Sequence, residues 1–195
     1  VNLNADEIVF LEVNPFVKLS YKNTAIQTNL IGKYNFTNMA AAITMGAFFK
    51  IPEASIKEAL EKYTPTNNRS QLQKTAKNTL ILDAYNANPS SMKVALENFE
   101  ALEATSKVLI IGDMFELGTT SIQEHQAIVD LVATLHFKET FFVGENFYQT
   151  KTDKIQFKTY QELEDHIKKH PLENQAILIK GSRGMRLELI LEFIE

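Results

Sequence analysis

The apolar positions of this chain change rhythm near residue 65. Upstream, "EIVFLEV", "FVKLSY" and "AIQTNL" are short strand-like runs separated by Asn14-Pro15 and Lys22-Asn23, which punctuate as turns. "NMAAAITMGAFF" is apolar on every side of a helical wheel and predicts a buried helix. "IPEASIKEALEKY" sets Ile56, Ala59, Leu60 and Tyr63 on one stripe and has Pro52 near its start, which predicts a second helix. "TPTNNRS" has no periodicity and marks a boundary near Pro65, dividing residues 1–65 from residues 66–195. Downstream, brief apolar runs at 80–83, 107–111, 140–143 and 176–180 alternate with helical patterns at 89–104, 121–135, 160–169 and 185–194. Such alternation predicts a mainly parallel sheet covered on both faces, with right-handed crossovers: an α/β, doubly wound, Rossmann-like domain preceded by a small α+β unit.

Composition narrows the function classes. The 195 residues are 45% apolar and 23% charged, with a formal net charge of -4, so the chain reads as an ordinary globular protein without the basic excess of a non-specific nucleic-acid binder. The absence of Cys excludes disulfides and thiolate chemistry and permits a reducing compartment. No apolar run approaches the ~18 residues of a membrane span, so no membrane partner is expected. The opening "VNLNADEIVF" has neither a secretory pattern nor a Met, and the expectation is a piece of a longer chain. His125 falls on a helical pattern, while His136, His166 and His170 read as surface positions; no spacing among the four suits a zinc site.

In an open parallel sheet, ligands collect beyond the carboxyl ends of the strands. "LILDAYNANPSSM" stops an apolar run at Asp83, delivers Tyr85, Asn86 and Asn88, and restarts at Pro89. Asn88 before Pro89 is a natural helix cap, whereas a carboxylate at a strand tip can accept from sugar hydroxyls or from turn N–H groups. "GDMFELG" is not a phosphate loop, since five residues separate its glycines and Thr119 follows; Asp113 and Glu116 read as members of a flexible, solvated loop. "KGSRGMRLE" collects Lys180, Arg183 and Arg186 around Ser182, which would cap the last helix. That grouping predicts an anion site for carboxylate or phosphate at the helix start. Asn35 and Asn38 flank the start of the first helix, as caps or as amides able to read a purine edge, and Arg69 follows the domain boundary.

Taken together, "GKYNFTNMAAA", "NNRSQ", "LDAYNANPSSM", "GDMFELG…EH" and "KGSRGMRLE" resemble, in order and spacing, the Mur ligase family over about residues 30–195. "DAYNANPSSM" with "KGSRGMR" most resembles the members that add D-alanyl-D-alanine. The resemblance implies that residues 1–65 are the end of a central ATPase domain and that residues 66–195 are the C-terminal Rossmann-like domain. It implies a cytoplasmic, ATP- and Mg²⁺-dependent amide ligase of peptidoglycan synthesis, acting on UDP-N-acetylmuramoyl-tripeptide and D-alanyl-D-alanine through an acyl phosphate. A P-loop and the Mg²⁺ ligands would lie upstream, so no catalytic residue and no metal ligand is expected here, and the chain alone would lack ATPase activity. Carried over by position, Asn35, Asn38, Arg69 and Asp83 would bind ATP. Asn86, Asn88, Lys180, Ser182 and Arg183 would face the dipeptide. Tyr34 stands where the family commonly has His.

Two other readings are open to the sequence. One is a ligase for a different amino acid, including a folylpolyglutamate-type enzyme, against which "DAYNANP" argues. The other is a non-catalytic flavodoxin-like binding module, such as a phospho-receiver, but the acidic cluster it needs is not visible because Asp83 and Asp113 stand alone.

Overall fold

A computed structural model describes residues 7–66 and 69–195. The chain divides into two compact units, Val1–Thr66 and Asn67–Glu195.

The first unit is a three-stranded antiparallel sheet, β1 (Ile8–Val13), β2 (Phe16–Tyr21) and β3 (Thr24–Ile31), followed by α1 (Asn35–Phe48) and α2 (Glu53–Lys62). Lys22 and Asn23 both take positive φ, the conformation a tight two-residue hairpin demands. Alternation along β2 sends Val17, Leu19 and Tyr21 to one face, where they meet Ile26, Met39, Ile43 and Ile56. The expectation of a fully buried first helix fails. Within α1 only Asn35, Met39 and Ile43 are buried, and Met45 and Phe48 are 55% and 59% exposed. A small sheet presents one face, and one face covers only one stripe of a helix.

The second unit holds a six-stranded sheet in the order β4 (Gln71–Lys74), β5 (Thr79–Asp83), β9 (Ala176–Lys180), β6 (Lys107–Gly112), β7 (Glu139–Val143), β8 (Ile155–Phe157). Only the β4–β5 pair is antiparallel. The α/β, mainly parallel architecture expected from the apolar rhythm is therefore present. The helices are α3 (Pro89–Ala101), α4 (Ser121–Ala133), α5 (Tyr160–Lys169) and the short α6 (Leu191–Ile194). Leu80, Leu82, Ile177, Ile179, Val108 and Ile110 pack on one side of the sheet with Leu163 and Ile167 of α5 and with Leu187, Ile190 and Ile194. The intervening residues Ile81, Leu109, Ile111 and Leu178 are buried on the other side, as are Met92, Leu96 and Phe99 of α3 and Ile128, Val129 and Val132 of α4.

Two edge strands, β4 and β8, were not expected, being short and poorly apolar. The helix expected over 185–194 is also broken. Arg183–Met185 and Leu187–Ile190 are 3-10 turns joined at Arg186, whose φ of 51° and ψ of 38° are left-handed. The break lets Leu187, Ile190 and Ile194 all reach full burial against the sheet.

Candidate functional site

Register aligns the carboxyl ends of the central strands. Asp83 on β5 lies opposite Lys180 on β9, which lies opposite Ile111 on β6. Residues in register on adjacent strands project to the same side, so the carboxylate and the ammonium meet. Lys180 Nζ donates to Asp83 Oδ2 at 2.6 Å and to the Asn86 carbonyl at 3.3 Å. Asp83 Oδ1 accepts from the Ser70 backbone N–H at 3.1 Å and from its hydroxyl at 3.4 Å. The lysine side chain is 2% exposed and the aspartate's 18%, so the ammonium is sealed while the carboxylate keeps partial access to solvent. Lys180, expected near an incoming carboxylate, here pairs with Asp83.

Beyond the pair stands Tyr85, 36% exposed. The Arg69 guanidinium carbon lies 3.9 Å from the ring centroid and that of Arg183 lies 5.2 Å from it. Both arginines are exposed, and among the described residues neither forms an ion pair. These two guanidinium groups are cations available to an external anion. The other elements of the expected anion site differ: the last helix does not open at Ser182, and Arg186 sits at the break.

The two asparagines of the turn have local duties. Asn86 Oδ1 accepts from the Ala87 N–H at 2.9 Å, which closes the bend. Asn88 caps α3, its Oδ1 accepting from the Ser91 N–H at 2.8 Å and the Ser90 hydroxyl at 2.9 Å. Ser91 Oγ accepts in return from the Asn88 N–H, which completes a capping box ahead of Pro89. A strand can stop and a helix restart here because the turn supplies its own hydrogen bonds.

The loop after β6 departs from the expectation of a solvated segment. Asp113 is 2% exposed. Its Oδ2 accepts from the Asn146 N–H and side-chain amide, and its Oδ1 from the Phe147 N–H, each at 3.0 Å. Its carbonyl accepts from the Ser182 N–H at 3.0 Å, and Ser182 Oγ accepts from the Phe115 N–H at 2.8 Å. Ser182 therefore joins the β9 loop to the β6 loop rather than capping a helix. His125, fully buried, accepts from the Met114 N–H at Nε2 and lies 2.6 Å from the Ser121 carbonyl at Nδ1; the network assigns the proton to Nδ1. Gly144 is obligatory beside this node: its φ is +124°, and a Cβ there would sit 2.3 Å from the Asp113 carboxyl carbon. Sequence reasoning passed over Asp113 and His125 because a buried acid and a buried imidazole resemble loop and helix polar residues until their partners are known.

In the first unit, the Asn35 side chain does not cap α1. Its Nδ2 donates to the Ile31 carbonyl at 2.7 Å, and its Oδ1 accepts from Asn38 Nδ2 at 2.9 Å. Asn35 is buried and Asn38 exposed, so the inner amide orients the outer one. The nine expected site residues thus form three groups: Asn35 with Asn38; Asn86 with Asn88 in the turn; and Asp83, Lys180, Arg69, Arg183 and Ser182 around the tips of β5 and β9.

Comparison with known proteins adds to this geometry. Residues 68–183 match the family model described as "Mur ligase, glutamate ligase domain". The UDP-N-acetylmuramoyl-tripeptide–D-alanyl-D-alanine ligase of Bacillus subtilis is 33% identical over 174 residues, 84% of this chain and 38% of that protein. The enzyme of the same name from Treponema pallidum is 29% identical over 180 residues, 88% of this chain and 39% of that protein. The chain therefore spans about two fifths of the curated relatives it matches. Among solved structures, MurF from Acinetobacter baumannii superposes with a TM-score of 0.78 at 24% identity, over 95% of this chain and 44% of that one. MurF ligase from Thermotoga maritima, solved in complex with ADP, gives 0.74 at 18% identity, again over 95% and 44%.

Proposed function

Since the chain belongs to the Mur ligase family, whose model covers more than half of it, we propose that it is the C-terminal part of an ATP-dependent amide ligase. The reaction we assign joins D-alanyl-D-alanine to UDP-N-acetylmuramoyl-tripeptide in peptidoglycan synthesis, in the cytoplasm. The observation that carries this reading is the cluster at the tips of β5 and β9, where Asp83, Tyr85, Lys180 and Arg183 come from the two family-like motifs and meet Arg69. The names of the curated relatives support the two substrates, and the ADP-bound Thermotoga structure supports the nucleotide. No helix among the described residues is long and apolar enough to cross a membrane.

Each residue has a chemical part in this reading. The partly exposed Asp83 carboxylate accepts from ribose hydroxyls, and Lys180 fixes its orientation. Arg69 serves the nucleotide. Arg183 and Asn86 face the dipeptide, with Asn88 and Ser182 holding the two loops in shape. Asn38, oriented by Asn35, reads the adenine edge. The tripeptide carboxylate attacks the γ-phosphate to give an acyl phosphate and ADP. The D-alanyl-D-alanine amine then attacks the acyl carbon, and phosphate leaves. Phosphoryl transfer of this kind rests on positioning and charge neutralisation. No group of three or more His, Cys, Asp or Glu suited to a metal occurs among the described residues.

The test is phosphate release by the full-length ligase that contains this sequence. Release that requires both D-alanyl-D-alanine and the UDP-tripeptide is the expected result. Release with a single L-amino acid instead would assign a different ligase, and turnover by these 195 residues alone would overturn the division of labour.

A further inference from the structure

Two guanidinium groups share the ring of Tyr85, and among the described residues neither forms an ion pair with a carboxylate. Arg69 lies 3.9 Å and Arg183 5.2 Å from the ring centroid. Asp83, two residues before Tyr85, has Lys180 on one oxygen and Ser70 on the other, so it does not draw the arginines in. Like charges on exposed side chains repel and separate into solvent unless something negative holds them. The π-face of an aromatic ring supplies that attraction and suits the flat guanidinium. The backbone fixes Tyr85 where both cations can reach it. The residue lies beyond the hydrogen-bonded strand tip, and Ala84 and Ala87 on either side of it are buried. Arg69 reaches the ring from the segment before β4, and Arg183 from the segment after β9.

We propose that Tyr85 is a positioning residue whose ring holds Arg69 and Arg183 together, so that the cation serving the nucleotide and the cation serving the dipeptide are ordered by one side chain. The assignment of the two ligands rests on the function proposed above; the holding role rests on the geometry alone. Tyr85 touches no reacting atom. It lowers the freedom that each arginine loses on meeting its anion. Removal of the ring therefore weakens both substrates and leaves the chemical step intact, a pattern that general loss of structure would not produce. The attraction comes from the ring face, so Tyr85→Phe retains it and Tyr85→Leu does not.

The experiment has two arms. In the 195-residue chain, NMR of arginine side chains reads ring-current shifts on the Arg69 and Arg183 δ and ε protons. These are expected in the wild type and in Tyr85→Phe, and lost in Tyr85→Leu. In the full-length ligase, Tyr85→Leu is expected to raise KM for ATP and for D-alanyl-D-alanine together, each about three- to fivefold, the size of an exposed cation–π contact, with kcat within about twofold of wild type. Tyr85→Phe is expected to restore both. Absence of ring-current shifts in the wild type, or a Tyr85→Phe variant as impaired as Tyr85→Leu, would overturn the proposal. A wild-type ligase inactive with these two substrates, while the NMR shifts are present, would overturn the function reading and leave the holding role standing.

Discussion

Lys180 Nζ lies 2.6 Å from Asp83 Oδ2, with the lysine side chain 2% exposed. The two residues are separated by 97 positions in the chain and are nearest neighbours across two parallel strands. An ammonium buried to this degree is tolerated because it is paired. Lys180→Met leaves the Asp83 carboxylate facing an apolar side chain. We expect a loss of about 3 kcal/mol of stability, as for other buried pairs broken from one side. The double variant Lys180→Met with Asp83→Leu is expected to lose less than the single one, because no orphan charge remains. Urea unfolding of the four proteins of the cycle measures both effects. Equal or greater loss in the double variant would refute the pairing argument.

Gly144 and Asp113 are expected to be coupled. A methyl group at Gly144 would enter the volume of the Asp113 carboxyl at a backbone angle that side chains avoid. Gly144→Ala alone should cost roughly 2–3 kcal/mol from strain of this kind. In an Asp113→Ala background the steric part disappears, and the added cost should fall to the backbone part. Thermal melts of the single and double variants read the difference. Additive costs would show that the two residues do not press on one another.

Acid should destabilise the second unit through His166. Burial holds the His166 pKa below its ordinary value of 6.5, and the charges of His170 and Lys169 push the same way, against an opposing pull from Glu139. Its ring also packs on Phe141 and Phe157, so it is less of a surface residue than its sequence position implied. A depressed folded value means that the unfolded chain takes up the proton first. Stability is then complete above about pH 6.5 and declines as pH falls through that value toward the lower folded one. His166→Leu should flatten the melting temperature between about pH 7.5 and 5. An unchanged slope would place the acid sensitivity elsewhere.

Tyr160 should titrate late. Burial, followed by the charges of Glu164, Glu192 and Glu188, pushes its phenol up from 10.0 to about 12. Spectrophotometric titration at alkaline pH should show a late tyrosine step near pH 12, and Tyr160→Phe should remove it. Because the unfolded chain ionises first, stability should drain away as pH rises from about 10 toward 12.

Much of the fold is visible in its apolar rhythm. Leu80–Leu82, Val108–Ile111 and Ile177–Ile179 are continuous because strands covered on both faces require it. The edge strands escaped notice for the complementary reason. "QLQK" and "IQF" border solvent, and short half-buried segments need little apolar character. Helical spacing over 185–194 was genuine as a burial pattern and misleading as a conformation, since Leu187 and Ile190 reach the core from a 3-10 turn that follows a left-handed Arg186, and Ile194 from the short α6 behind it. The motifs carry the candidate residues, but not their partners. Pairings such as Asp83 with Lys180, or Asp113 with Asn146, depend on which strands become neighbours, and that is decided by the whole sheet.

β9 is the last strand in the chain and one of the two central strands of the sheet, flanked by β5 and β6. A ribosome making this protein thus releases β4 to β8 before the piece that joins them. Until residues 176–180 emerge, β5 and β6 have unpaired backbone edges facing one another across a missing rib. Such open edges invite pairing with other chains, so this unit should depend on chaperones during synthesis and acquire protease resistance only after β9 and the turns behind it leave the tunnel.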